Sequence, residues 1–165
     1  MNTKPYNETT FNEARMVAVK AHTGQDYDKI FPYEKHLDDV VSVLHGFGYG
    51  GRFIVAGYLH DVLEDCPISY KYIKNYFGLV VAEMVYCVTD EIGRNRVEKK
   101  SKTLPKIASN PDAIILKLAD RIANVNHGGK IDMYSKEFTA FYDALYIPGH
   151  ADELWNQLKT LLKIK

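Results

Sequence analysis

Apolar residues recur at three- and four-residue steps along most of the chain, and no stretch alternates apolar with polar for the length of a strand. That restricts the chain to helices packed on helices, an all-α fold. Phe11, Ala14, Ala18 and Ala21 line one face of a first helix, with Thr10 to Glu13 fitting a capping box at its start and Gly24 near its end. Leu37, Val40, Val41 and Leu44 mark a second helix, closed by the Gly46/Gly48/Gly50/Gly51 cluster. The spacing predicts one continuous third helix over 52–65, a short helix capped by Ser69, and a buried helix over 79–88. Pro111 and Asp112 open a helix carrying Ile114, Ile115, Leu118, Ile122 and Val125, followed by an amphipathic segment over 132–145. Leu154, Trp155, Leu158, Leu161 and Leu162 predict a C-terminal helix over about 150–163. Residues 25–31 and 90–106 read as polar connections.

The 165 residues, 46% of them hydrophobic, suit one compact domain over 1–165, with its core over about 10–145. No repeat or linker divides it. The 21 basic and 21 acidic side chains cancel, so no global field draws the protein to nucleic acid or anionic lipid. A small-molecule substrate, its charge met by a local patch, is the expectation. Met1 to Thr10 lacks a basic-then-apolar leader, and the run over 79–88 is short and interrupted by Glu83. Cys66 and Cys87 read as free thiols in a cytoplasmic protein, whose assembly into homo-oligomers is left open.

The chemistry concentrates in Leu59-His60-Asp61-Val62-Leu63-Glu64-Asp65. On a helix, Asp61 lies within one turn of Glu64 and Asp65, and the acids crowd the C-terminal end of an apolar segment. The helix dipole disfavours carboxylates there by roughly 0.3–1 kcal/mol each when exposed. A divalent cation offsets that repulsion directly; a solvated acidic helix end is the plainer alternative. Upstream, Pro32-Tyr33-Glu34-Lys35-His36 sets a histidine at a helix start. Downstream, Lys117, Asp120 and Asn124 share one helix face.

These three segments, in this order, resemble the H…HD…D pattern of the HD phosphohydrolase superfamily. Within it they are similar to the hydrolase domain of RelA/SpoT-type enzymes and its small stand-alone relatives, the metazoan SpoT homologue among them, over about residues 10–145. The resemblance implies a compact helical bundle with His36, His60, Asp61 and Asp120 as metal ligands. It implies Glu64 and Asp65 as catalytic acids, with Asn124 and Tyr33 at the nucleotide; Lys117 reads equally as a substrate contact or as helix support. The reaction it implies is release of pyrophosphate from the ribose 3′ position of guanosine tetra- or pentaphosphate. Two imidazoles and two carboxylates suit a borderline divalent ion such as Mn²⁺ and leave coordination sites free.

The chain departs from that pattern at one point. Gly24-Gln25 is followed by Tyr27 and Asp28 where the family usually has an Arg-Lys pair that helps recognise guanine. The basic run from Arg94 to Lys106, six cations against Glu98, is a candidate source of the missing charge, with Arg94 and Arg96 read as phosphate contacts. A solvated face is the alternative there. Tyr27, Tyr33 and Tyr134 are aromatic candidates to stack on a base, with packing the favoured reading for Tyr27 and Tyr134. The same machinery acting on another phosphorylated nucleotide (an adenosine alarmone, a nucleoside phosphate or a phosphorylated dinucleotide cofactor) stays open, as does an idle nucleotide-binding module.

Overall fold

The computed structural model describes residues 5–164; Met1 to Lys4, part of the polar start read above, and Lys165 lie outside them. Among the described residues the regular structure is helical apart from one small ribbon. Helix α1 (Glu8–Ala21) opens one turn earlier than the capping box suggests, because Asn7 in an extended conformation accepts the Thr10 amide at 3.2 Å. Thr10 is thereby inside the helix, and its hydroxyl donates to the Pro5 carbonyl. The segment read as a loop folds into strands β1 (Asp26–Tyr27) and β2 (Phe31–Pro32), paired antiparallel. Two residues per strand leave no alternation to detect, and the turn places Asp28 and Lys29 at positive φ.

Helix α2 (Glu34–Gly46) buries His36, Leu37, Val40 and Leu44. The expected third helix is broken: α3 (Arg52–Leu59) stops, and α4 (Val62–Asp65) restarts one turn later. The cause is local. His60 Nδ1 donates to the Gly57 carbonyl at 2.8 Å, occupying the acceptor that an unbroken helix would offer to the Asp61 amide. Asp61 then starts the new turn, its carbonyl accepting the amides of Glu64 and Asp65.

Helices α5 (Tyr70–Phe77), capped by Ser69, and α6 (Leu79–Val88) follow as the spacing predicts. The polar run is not all loop. Its second half is helix α7 (Arg96–Ala108), capped by Asn95 on the Glu98 amide at 3.0 Å, with Thr103 and Ile107 buried. Helix α8 (Pro111–Asn126) is the central element, buried from Ala113 to Val125 except at Lys117, and α2, α3, α6, α7, α9 (Ile131–Leu145) and α10 (Asp152–Leu162) all pack on it. Trp155 of α10 closes that core against Phe138 and Phe141. Among the described residues no helix is long and apolar enough to cross a membrane.

Helices α2 and α3 carry the two histidines, and Gly57 lets them approach. A Cβ at that position would stand 2.9 Å from Leu44 Cδ1 and 3.1 Å from Val41 Cγ2. Gly57→Val is therefore expected to separate the two helices and to lower stability by about 1–3 kcal/mol, read as a reduced urea midpoint. An unchanged midpoint contradicts this account of the contact.

Candidate metal centre and active site

The break at His60 turns its ring inward. With Nδ1–H held by Gly57, the Nε2 atom faces His36, 3.2 Å from its Nε2. Asp120, one turn past Lys117 on α8, brings Oδ1 to 3.3 Å from His36 Nε2 and 3.8 Å from His60 Nε2. Asp61 Oδ2 lies 2.9 Å from His60 Nε2 and 3.7 Å from His36 Nε2. Donor atoms about 2.0–2.2 Å from one ion stand roughly 3.0–3.5 Å apart around it. His36, His60 and Asp120 stand near the spacing that a divalent cation asks for, and Asp61 Oδ2 lies beside both imidazoles. His36, His60 and Asp120 alone already form a group that could hold one, their ligand atoms all within 4.8 Å of one another.

Other side chains fix this geometry. Lys117 Nζ donates to Asp120 Oδ2 at 2.7 Å, and Asn124 Nδ2 donates to Asp120 Oδ1 at 2.8 Å. Asn124 is itself closed off by Tyr27, whose hydroxyl donates to Asn124 Oδ1 at 3.0 Å, while the Tyr27 ring stacks on His36. Tyr33 donates its hydroxyl to Asp61 Oδ2 at 2.5 Å. His36 Nδ1 is buried without a partner, so that ring is set by packing and by its Nε2 contacts with His60 and Asp120.

The electrostatics favour positive charge at the convergence. Burial opposes charging His60, but Asp61 and Asp120 more than offset it and raise the imidazole to about 9. Burial likewise works against ionised Asp120 and Asp61, and the neighbouring cationic groups, Lys117 for Asp120 and His60 for Asp61, hold both below the usual carboxylate range. Glu64 and Asp65 differ. Burial raises both, and the Asp61 charge adds to it; Glu64 also accepts the Asp90 amide at 3.1 Å.

All of these groups except His60 border one cavity of about 280 Å³, which is also lined by Arg96, Lys100, Lys117 and Lys130. The sequence-derived candidates His36, Asp61, Glu64, Asp65, Asp120, Lys117, Asn124, Tyr33 and Arg96 thus meet there, with His60 directly behind. Asn124 and Lys117 are engaged with Asp120, so their polar ends hold a carboxylate rather than reach into open space. Arg94 is a correction: it precedes α7, and its side chain is 90% exposed and bonded to Glu98 in the first turn of that helix rather than lining the cavity. Arg96 opens α7 and is held by Glu137, which also accepts from buried Arg121. Lys100, paired with Asp90, and Lys130 at the start of α9 were not singled out as cavity residues by their spacing, and Tyr134 also lines the cavity. Tyr27 does pack, as read, yet it packs at the site.

An HD domain family model matches residues 14–140. The guanosine-3′,5′-bis(diphosphate) 3′-pyrophosphohydrolase of Aquifex aeolicus is 34% identical over 126 residues, 73% of this chain and 18% of that protein. The bifunctional (p)ppGpp synthase/hydrolase SpoT of Escherichia coli K12 is 32% identical over 126 residues, 72% of this chain and 18% of that protein. The chain thus spans about a fifth of the length of the curated relatives it matches. A solved structure, described as a metazoan ortholog of SpoT that hydrolyzes ppGpp, superposes with a TM-score of 0.79 over 96% of each chain at 24% identity, a likeness of fold.

If a cation enters at the convergence it displaces the His60 proton, because a metal ligand must be deprotonated. Mn²⁺ titrated at pH 7.5 is expected to release about one proton per ion, since His60 is charged up to about 9, and affinity should strengthen as pH rises toward that value. Calorimetry in buffers of different ionisation enthalpy reads the release; uptake without any proton release contradicts the placement of the ion beside His60.

Proposed function

The chain belongs to the HD-domain family, and from that premise we propose that it is a metal-dependent nucleotide phosphohydrolase releasing pyrophosphate from the 3′ position of guanosine tetra- or pentaphosphate. The observation that carries the reading is the meeting of His36, His60, Asp61 and Asp120 with two further acids and several cations around one small cavity. The relatives named for this reaction support the substrate. The reading takes the protein to be cytoplasmic, its substrate a small molecule, and residues 1–165 to act as one domain.

In this proposal His36, His60, Asp61 and Asp120 hold the ion, and the borderline donor set favours Mn²⁺. Bound there, the ion supplies Lewis acidity that acidifies water and polarises a phosphoryl oxygen. The remaining work falls to the chain's own side chains. Glu64 and Asp65, made more basic by burial and by Asp61, accept the proton of the attacking water and return it to the leaving group. Lys117 and Asn124 keep Asp120 oriented through both of its oxygens. Arg96, Lys100 and Lys130 meet the substrate's phosphate charge, with Arg96 presented by its bond to Glu137.

A second reading keeps the machinery and changes the nucleotide. Its support is the residue pair at 27–28: Tyr27 is closed onto Asn124, and Asp28 pairs with His127 at 3.0 Å, so neither supplies a cation to a guanine. One experiment addresses both readings and the idle-module alternative. The Mn²⁺-loaded protein is given guanosine 3′,5′-bis(diphosphate), its adenosine counterpart, nucleoside monophosphates and a phosphorylated dinucleotide cofactor, and pyrophosphate and orthophosphate are assayed separately. The expected result is pyrophosphate release, fastest with the guanosine substrate. Glu64→Gln and Asp65→Asn are expected to keep metal and lose about 10²–10⁴ in kcat. Orthophosphate from another nucleotide selects the second reading. Nucleotide binding without turnover removes the enzymatic one.

A further inference from the structure

The mechanism above leaves one buried ring unused. His22, at the end of α1, is 2% exposed and lies parallel to Tyr33, with centroids 4.3 Å apart and planes at 5°. Its Nδ1 donates to the Ala18 carbonyl at 2.9 Å, which fixes the ring to α1; its Nε2 is buried and has no partner. The backbone holds the stack together. Gln25 donates its amide to the His22 carbonyl at 2.9 Å and accepts the Tyr33 amide at 3.2 Å, so the loop that carries the ribbon brings the two rings face to face. Tyr33 in turn donates to Asp61 Oδ2, the carboxylate oxygen nearest both imidazole Nε2 atoms.

We infer that His22 is a positioning residue of the metal centre: as a rigid flat plate it sets the plane of Tyr33, and Tyr33 orients Asp61 toward the two histidines. This rests on the metal-dependent reading proposed above. It reassigns Tyr33, whose hydroxyl serves a carboxylate ligand. A parallel-stacked pair restricts the tyrosine ring to one plane, and the bond from the partly buried Tyr33 hydroxyl fixes which Asp61 oxygen turns inward. The unpartnered Nε2 means that position 22 contributes a ring and one anchoring bond, and that its second nitrogen serves nothing. The Ala18 carbonyl keeps the residue-22 backbone amide as a partner at 3.0 Å when the side-chain bond is lost, so a phenyl ring held by the same packing should keep the Tyr33 plane.

The test uses metal-free wild type, His22→Ala, His22→Phe, Tyr33→Phe and the His22→Ala/Tyr33→Phe pair. Mn²⁺ affinity is measured by electron paramagnetic resonance of the free ion, without substrate, and folding is checked by far-ultraviolet circular dichroism. Losing a group that orients a metal ligand typically costs about 10–100-fold in affinity. His22→Ala and Tyr33→Phe are each expected to weaken Mn²⁺ binding about tenfold. His22→Phe should stay within about threefold of wild type, and the double variant should be no more than about threefold weaker than His22→Ala, because both changes break one chain of contacts. Near-wild-type affinity in His22→Ala, a loss in His22→Phe as large as in His22→Ala, or fully additive losses would each overturn the inference. Should His22→Ala fail to fold, His22→Phe and Tyr33→Phe still decide it: the first must keep affinity and the second must lose it. A wild-type protein that takes up no Mn²⁺ overturns the metal reading itself, and this inference with it.

Discussion

The bond from His60 Nδ1 to the Gly57 carbonyl is the constraint on which the rest of the site depends. It ends α3 by taking the acceptor that the next helical amide would use, and it turns the ring so that Nε2 faces His36 and Asp61. The same bond leaves Asp61 at the start of a new turn, where its side chain stands beside His60 while its carbonyl organises Glu64 and Asp65. One backbone contact thus separates a carboxylate beside the imidazoles from two acids aimed at the same space. The tight meeting of α2 and α3 at Gly57 then brings His36 to within 3.2 Å of His60.

Such a concentration of buried charge needs compensation, because an uncompensated buried charge destabilises a fold strongly. Central helix α8 provides it through Lys117 and Asn124, both bonded to Asp120. On the far side of the cavity the signs reverse. Arg121, buried between the rings of Tyr134 and Phe141, shares Glu137 with Arg96, and Lys100 pairs with Asp90, whose amide in turn caps Glu64. The acidic and cationic groups are therefore linked by hydrogen bonds through Asp90 and α8. A chain with no net charge builds a strongly polar pocket in this way without a strongly charged surface.

Much of this was legible in the residue pattern, for physical reasons. Helices α2, α5, α6, α8 and α10 carry apolar stripes that periodicity detects, and the imidazoles and carboxylates that converge are rare types at spacings a core does not require. The break at His60 was not legible, because a side chain capturing a carbonyl three residues back leaves no trace in periodicity. Helix α7 was hidden by its charge: Lys and Glu pairs on its exposed face mask the Thr103–Ile107 stripe, although Asn95 followed by Glu98 was a capping signal. Arg94 misled for the same reason, a charge run having no direction until the helix axis is known. Tyr27 could not be placed from sequence, since its partner Asn124 lies 97 residues away.

The central claim is that one divalent ion sits between His36, His60, Asp61 and Asp120. An anomalous-difference map from crystals grown with Mn²⁺ tests it most directly. The account expects a single strong peak within about 2.0–2.3 Å of both Nε2 atoms and of Asp120 Oδ1, with Asp61 Oδ2 completing the set. No peak in the cavity, or a peak bound by Glu64 and Asp65 instead, would contradict it.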